Sequence, residues 1–204
     1  YAELLLNEAD TDGFDREQKR EFLGYIYDKG EILKRIIDDM LDLGRIESRR
    51  PIILEKSDCE IVQLVRSTLE HLRKENPRYR FAMDCHTDGL VINIDQQKIS
   101  QVFDNVLSNA VKYSPAGGLI NVVGKVEGET LLISVTDQGI GMTAEQMERA
   151  FDKFYRADSS DTAVGGLGLG LSICKNIVEA HGGKIWMESA LSEGTTVHFS
   201  LPLT

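Results

Sequence analysis

The chain has 204 residues with a formal net charge of −10, and 42% of its residues are hydrophobic and 27% charged. These proportions are typical of a globular protein, and the acidic balance argues against nucleic acid or an anionic membrane as a main partner. The longest apolar runs, such as 4–6 and 131–133, are far too short to span a membrane. No secretory signal is visible, and three widely spaced cysteines suit a reducing compartment. We therefore expect a cytoplasmic domain, with any membrane attachment in other parts of a longer parent protein.

A helical region precedes Pro51. Between Glu17 and Ser48 apolar residues recur at spacings of three and four, which is typical of an amphipathic helix; they are Phe22, Tyr25, Ile26, Leu33, Ile36, Ile37, Met40, Leu43 and Ile46. A second stripe at 1–8 and a turn at 11–15 predict a helical hairpin whose first arm is shortened by the start of the sequence. An uncovered stripe predicts a homodimer formed through this hairpin. The alternative is a hairpin that packs on its own α/β domain.

After Pro51 the pattern alternates strands with helices, so we predict one domain at 1–50 and another at 51–204. Strands are predicted at 52–55, 80–84, 91–94, 120–126 and 130–136, with a final hairpin at 184–189 and 196–203. Ser57–Glu60 resembles a capping box that opens a helix. Asp95 is the predicted cap of another helix, whose apolar face is Ile99, Val102, Phe103, Val106, Leu107 and Ala110. Further helices are predicted near 144–150 and 169–181. The predicted fold is α+β, an α/β sandwich with one mixed sheet and helices on one face, preceded by the shortened helical hairpin.

Two asparagines, Asn105 and Asn109, lie four residues apart and therefore project from one side of a helix. Asparagine is a poor interior helix residue, so two in register indicate a function. A carboxamide oxygen suits Mg²⁺, and Lys112 and Tyr113 continue the same side with a cation and a flat ring. The alternative is a polar flank that faces water.

Asp137 follows a predicted strand in which Leu131, Ile133 and Val135 face the core. Asp137 falls in the same register, and a buried carboxylate is costly unless it meets hydrogen-bond donors. The exocyclic amine of adenine is a donor of this kind, and Gly139 and Gly141 would let backbone approach a ligand. The alternative is a strand-end turn with a solvated Asp137.

A glycine-rich loop, 165–170, immediately precedes a predicted helix. Amides at a helix N-terminus that is reached through glycines form an anion site. The loop matches neither the Walker nor the Rossmann spacing. A flexible glycine hinge is the alternative.

Together these segments resemble the ATP-binding module of sensor histidine kinases, within the superfamily shared with gyrase, heat-shock chaperones and mismatch-repair ATPases. Residues 104–115 (DNVLSNAVKYSP) resemble the N box, 137–141 (DQGIG) the first glycine box, 151–156 (FDKFYR) the F box and 166–170 (GLGLG) the second glycine box. Residues 194–196 (GTT) stand where a final glycine motif is expected. The resemblance implies a Bergerat-type fold and makes residues 1–50 the end of a dimerisation and histidine-phosphotransfer hairpin.

The resemblance also implies roles for individual residues. Asn109 would bind Mg²⁺, with Asn105 supporting the metal or the phosphates. Lys112 and Arg156 would contact the phosphates, so that Asn105, Lys112 and Arg156 form the implied catalytic set. Tyr113 would lie against the adenine, and 151–168 would form a mobile lid whose stem is anchored by Phe151 and Phe154. The remaining implied ATP contacts are Asp137, Gly139, Gly141, Phe154, Gly166, Leu167, Gly168, Leu169, Gly170 and Thr196.

The sequence departs from the family at two points. Leu167 stands where Ser or Thr is common, and no phosphoacceptor motif is present. His71 is not followed by the required acid, and the other three histidines are predicted to be structural. We therefore expect no autophosphorylation by this chain alone.

Three functions compete. The first is a kinase module that passes the γ-phosphate of Mg·ATP to an upstream histidine, for relay to an aspartate of a response-regulator receiver domain. The second is an ATP-hydrolysing clamp, which Asn105 disfavours because such relatives often carry a glutamate general base there. The third is a non-catalytic nucleotide-binding scaffold.

Overall fold

The structure is a computed structural model that describes residues 14–47, 52–85, 87, 89–157 and 167–203. The chain divides into two units, residues 1–44 and residues 45–204. The predicted first arm of the hairpin and residues 48–51, which contain the predicted domain boundary, lie outside the described residues. The assignment of 1–50 to a phosphotransfer hairpin therefore stays a prediction.

The first unit contains most of helix α1, Arg16–Glu47, as the apolar periodicity predicts. A reciprocal cap starts this helix: the Gln18 amide donates to Asp15 Oδ1 over 2.8 Å, and the Asp15 amide donates to Gln18 Oε1 over 3.0 Å. Along the predicted stripe, side chains remain between 45% and 58% exposed at Tyr25, Leu33, Ile37 and Met40. None of the helices in the described part of the chain is long and apolar enough to cross a membrane.

The second unit alternates strands with helices. Its elements are β1 Ser57–Glu60, α2 Ile61–Glu75, β2 Tyr79–Cys85, β3 Val91–Ile94, α3 Gln96–Lys112, β4 Gly118–Glu127, β5 Thr130–Thr136, α4 Ala144–Arg149, α5 Gly170–Ala180, β6 Lys184–Ala190 and β7 Gly194–Pro202. Five strands form a sheet in the order β2-β4-β5-β7-β6. The β2–β4 pair is parallel and the other pairs are antiparallel, so the sheet is mixed, as predicted. Helix α3 packs against α2, α5 and the central strands, while α5 also packs on β6 and β7.

The segment before α2 differs from the prediction in two ways. Residues 52–55 form no strand, and Ser57–Glu60 is strand β1 rather than a capping box. β1 pairs antiparallel with β3 in a separate two-stranded sheet, from Ser57 opposite Ile94 to Glu60 opposite Val91. Helix α2 consequently begins later, at Ile61, with no side-chain cap from Glu60. Strand pairing with a remote segment outweighs the local capping preference here.

The core lies between α3 and the inner face of the five-stranded sheet. All six residues of the predicted α3 face are at most 3% exposed, and the Phe103 and Phe199 rings meet edge to face with centroids 5.3 Å apart. Burial of each large apolar side chain contributes roughly 1.5–3 kcal/mol. On β5, Leu131, Ile133 and Val135 are buried as predicted, and their alternation continues directly into Asp137.

The N-terminus of α3 is fixed by a buried polar junction around Asp95. The Asp95 carboxylate accepts from the Lys98 amide (3.1 Å), which confirms the predicted cap, and from the Glu55 amide (3.0 Å). The Asp95 amide donates to Nε2 of buried His181 (3.0 Å), whose Nδ1–H donates to the Ile177 carbonyl at 2.8 Å. Each of these polar groups therefore has a partner.

Candidate functional site

Asp137 is buried at the end of β5, with 7% of its surface exposed. The amides of Gly139 (2.8 Å) and Thr195 (3.2 Å) both donate to Oδ1. Burial raises the pKa of the Asp137 carboxyl, and these two hydrogen bonds and the nearby Ser114 hydroxyl oppose that rise. Among the described residues both backbone donors meet Oδ1, so Oδ2 keeps the capacity to accept a hydrogen bond from a ligand.

The glycines after Asp137 are required by the close approach of protein backbone. A Cβ at Gly139 would overlap the Tyr113 carbonyl, which accepts from the Ile140 amide at 2.9 Å. Gly141 has φ of +65°, and a Cβ there would overlap the Ala190 carbonyl. The packing of the protein itself thus explains both glycines, whereas the sequence analysis attributed them to close approach of a ligand.

The C-terminal half of α3 presents the predicted phosphate and metal residues. Asn105, Asn109, Lys112 and Tyr113 are all half-buried. The Asn105 Nδ2 is enclosed and makes no hydrogen bond to the described residues, which leaves a donor for another partner. The Lys112 Nζ lies 5.0 Å from the centroid of the Tyr113 ring.

The N-terminus of α5 lies against Asn105. A Cβ built on Gly170, the first residue of α5, would lie 3.3 Å from Asn105 Oδ1. The preceding residue, Leu169, provides no side-chain cap for the helix. The Leu169 side chain is only 1% exposed and belongs to the core, so its predicted ligand contact is possible only through backbone. The first α5 amides thus form a candidate anion site beside Asn105.

The two flanks of residues 158–166 meet through backbone. The Phe154 amide donates to the Gly168 carbonyl over 3.0 Å, and both residues adopt left-handed φ values, 62° and 73°. This conformation costs a residue such as Phe about 1–3 kcal/mol. Phe154 is 58% exposed, whereas Phe151 is half-buried. Phe154 thus connects the two flanks through its backbone rather than its side chain, and anchoring by Phe151 stays a prediction.

Three further predicted residues remain without a described contact to the site. Arg156 and Leu167 are exposed, and Gly166 lies outside the described residues. Their roles in ATP binding, including the phosphate contact of Arg156, stay predictions.

Thr196 lies on the other face of the sheet from the candidate site. Its hydroxyl is 3.0 Å from the hydroxyl of Thr136, which Thr196 faces across β5 and β7. The backbone amide of its neighbour Thr195 donates to the Asp137 carboxylate. The Thr195 carbonyl accepts a hydrogen bond from the Asp137 amide at 2.9 Å. Thr195 was not among the predicted site residues, although the inward alternation of Val197, Phe199 and Leu201 signals that odd-numbered residues face the core.

Comparisons with known proteins define the class. Residues 94–204 match the model of the histidine kinase-, DNA gyrase B-, and HSP90-like ATPase family. The chain therefore belongs to this family, and its Bergerat-type fold is confirmed.

The chain is 38% identical over 185 residues to the sensor histidine kinase WalK of Bacillus subtilis, which covers 89% of this chain and 30% of WalK. It thus spans about a third of this relative's length. The solved catalytic domain of histidine kinase ThkA has 27% identity and a TM-score of 0.65, over 74% of this chain and 97% of that domain. Full-length ShkA, solved with AMPPNP, has 26% identity and a TM-score of 0.75, over 94% of this chain and 40% of ShkA.

Proposed function

We propose that this chain is the catalytic part of a sensor histidine kinase. It binds Mg·ATP and transfers the γ-phosphoryl group to an imidazole nitrogen of a histidine on an upstream helical hairpin, releasing ADP. The phosphoryl group then passes to an aspartate of a response-regulator receiver domain. The sensor kinase relatives and the complex of ShkA with an ATP analogue support this proposal. The observation that carries it is buried Asp137, which keeps one carboxylate oxygen for a ligand beside the predicted phosphate residues of α3.

The base binds at the Asp137 end of the site. Asp137 Oδ2 accepts a hydrogen bond from the exocyclic amine of adenine, which compensates the cost of burying the carboxylate. The Tyr113 ring lies against the base, next to the backbone that connects it to Ile140. Gly139 and Gly141 keep this backbone in its close packing.

The phosphates bind between α3 and the N-terminus of α5. Lys112 and Arg156 neutralise phosphate charge, and the first α5 amides and the enclosed Asn105 Nδ2 donate to phosphate oxygens. The described residues contain no cluster of three His, Cys, Asp or Glu side chains that could hold a metal. A single carboxamide ligand from Asn109 suits Mg²⁺, because this ion keeps several waters and takes its other ligands from phosphates. The ion would neutralise charge on the transferring group.

Calorimetry of ATP binding with and without Mg²⁺ tests the site. Wild-type protein is expected to bind more tightly with the metal, and Asn109→Ala to lose that gain because its metal ligand is removed. Asn176→Ala is the matched control, since Asn176 is a half-buried helical asparagine whose amide donates to the Ser172 carbonyl. An Asn109→Ala variant that responds to Mg²⁺ as wild type does contradicts the ligand assignment.

A transfer assay tests the reaction. A separate histidine-bearing hairpin and radiolabelled ATP are added to the same preparation, and label on the added histidine is expected. ATP binding without label would instead favour the non-catalytic scaffold, and release of inorganic phosphate alone would favour the clamp. The absence of any ATP binding would refute the proposed function.

The exposed stripe of α1 favours homodimerisation through the helical hairpin. Leu33 and Ile37 are more than half exposed, one helical turn apart, and burying them against a second copy removes apolar surface from water. Sedimentation equilibrium is expected to show a dimer that Ile37→Glu weakens. Lys34→Glu, at an exposed polar position of the same helix, is the control. A dimer unaffected by Ile37→Glu would place the interface elsewhere.

A further inference from the structure

Ser114 is enclosed beside the candidate base site without a hydrogen-bond partner for its hydroxyl. The residue is 1% exposed, and its Oγ makes no hydrogen bond to any described residue. A buried hydroxyl left in this state lowers the stability of the protein. The hydroxyl nevertheless lies close enough to Asp137 to lower the pKa of that carboxyl, although the two groups form no direct hydrogen bond.

The backbone of Ser114 is held in place from two sides. The buried hydroxyl of Tyr79 lies 3.0 Å from the carbonyls of both Val111 and Ser114, so it donates to the end of α3. The Gly117 amide donates to the same Ser114 carbonyl over 2.9 Å. Arg78 Nη2 donates in turn to the Tyr79 hydroxyl at 3.3 Å. The position of Ser114 is thus fixed by contacts that involve no ligand.

The same backbone lies directly against the Asp137 turn. The carbonyl of Tyr113, the residue before Ser114, accepts from the Ile140 amide and occupies the space that a Cβ on Gly139 would need. The same Cβ would lie 2.8 Å from Asp137 Oδ1. Ser114 therefore has a fixed backbone, an enclosed hydroxyl without a partner and a neighbouring carboxylate.

We propose that Ser114 is a specificity-determining residue of the nucleotide site, whose hydroxyl donates to the Asp137 carboxylate when a nucleotide binds and orients it toward a base with an exocyclic amine. This inference rests on the proposed function. A carboxylate oxygen can accept from Ser114 and from the amine of the base at the same time, because it has two lone pairs. A base with a carbonyl oxygen at that point, such as guanine, has no donor to offer and is rejected. Tyr79 is the positioning residue that holds Ser114.

The first measurement is a ¹³C-detected NMR titration of the Asp137 carboxyl in protein without nucleotide. Ser114→Ala is expected to raise the carboxyl pKa, because the nearby hydroxyl that favours the ionised form is removed. Thr68→Val is the matched control: it removes another buried hydroxyl, one that donates to the Leu64 carbonyl in α2. An unchanged Asp137 titration in Ser114→Ala overturns the proposal, whether or not the protein binds ATP.

The second measurement compares ATP and GTP binding by calorimetry across pH. Ser114→Ala is expected to bind ATP roughly tenfold more weakly, with the largest loss at the acid end, and to prefer ATP less over GTP. Ser114→Thr keeps the hydroxyl and is expected to restore the preference. Unchanged ATP affinity and preference in Ser114→Ala overturn the proposal, whereas failure of wild type to bind any nucleotide refutes the proposed function instead.

If Ser114→Ala does not fold, Tyr79→Phe is titrated: a raised Asp137 pKa supports the proposal and an unchanged one overturns it.

Discussion

The two ends of α3 use buried polar groups in opposite ways. At the N-terminus, both carboxylate oxygens of Asp95 accept backbone hydrogen bonds, and His181 uses both ring nitrogens. At the C-terminus, the Ser114 hydroxyl has no partner among the described residues, and the backbone donors to Asp137 meet only Oδ1. The side-chain amide of Asn105, on the same helix, likewise makes no hydrogen bond to the described residues.

This difference separates buried polar groups that stabilise the fold from buried polar groups that are available to bind a ligand. Buried groups whose hydrogen bonds are all made contribute to stability, and removing one of them leaves its partner without a hydrogen bond. Groups with spare hydrogen-bonding capacity lower stability in the protein alone and recover the cost when a ligand binds. Substitutions at the first end should therefore change the free energy of unfolding, and substitutions at the second should change ligand affinity.

The largest effect is expected at the partnered end. Asp95→Ala leaves the amides of Lys98 and Glu55 without acceptors and should lower the free energy of unfolding by about 3 kcal/mol. Urea denaturation measures the loss. Asp95→Asn keeps a carboxamide oxygen as an acceptor and should lose about 1 kcal/mol. A loss below about 0.5 kcal/mol in Asp95→Ala would show that the junction is not a stabilising network.

The opposite result is expected at the ligand end. Asp137→Asn removes the negative acceptor for the amine of the base, so ATP affinity should fall by roughly tenfold to a hundredfold. Its stability should stay unchanged or increase, because the buried charge is removed. Calorimetry and urea denaturation of the same preparation measure both. Equal ATP binding by this variant would show that the carboxylate is not the acceptor.

The sequence predicted α3 in detail because its signals agree. The apolar period, the Asp95 cap and the two asparagines all belong to one helix of 17 residues. The period-two alternation of β5 placed Asp137 inside the protein for the same reason. Motif spacing then indicated the family, which the comparisons confirm.

The features that the sequence analysis missed depend on contacts between remote segments. Ser57–Glu60 carries a local capping pattern, but it pairs with β3, which no local signal shows. The carbonyl that occupies the space beside Gly139 can likewise be identified only in the folded chain. The same holds for Ser114, because its burial depends on how Tyr79 and the Asp137 turn pack around it.

Protonation should weaken the partnered end. His181 Nε2 accepts from the Asp95 amide, and burial lowers the pKa of His181, with Lys56 lowering it further and the Ile177 carbonyl and Asp95 opposing the change. The unfolded chain therefore binds a proton first. Stability is full above the unfolded-state pKa of about 6.5 and falls as pH drops from there toward the folded value, by at most about 1.4 kcal/mol per pH unit.

Urea denaturation across this pH range tests the assignment. His181→Gln should reduce the slope, because a carboxamide presents an acceptor to Asp95 and a donor to Ile177 without titrating. His71→Gln is the control, since His71 is exposed and contacts only Glu75 among the ion pairs described. Part of the slope should remain in His181→Gln, because burial also lowers the pKa of His198. An undiminished slope would exclude His181 as a source.

The smallest effect is expected at Thr196, a partnered group on the far face of the sheet. Thr196→Val removes its hydrogen bond to Thr136 and should cost about 0.5 kcal/mol of stability, because cross-strand pairs contribute little individually. Since Thr195 rather than Thr196 meets Asp137, ATP affinity should change by less than about twofold. Calorimetry measures the affinity, with Asp137→Asn as the positive control. A fivefold or greater loss would extend the nucleotide site to the outer face of the sheet. It would also show that a half-buried polar group whose hydrogen bonds are all made within the protein can still contribute to ligand binding.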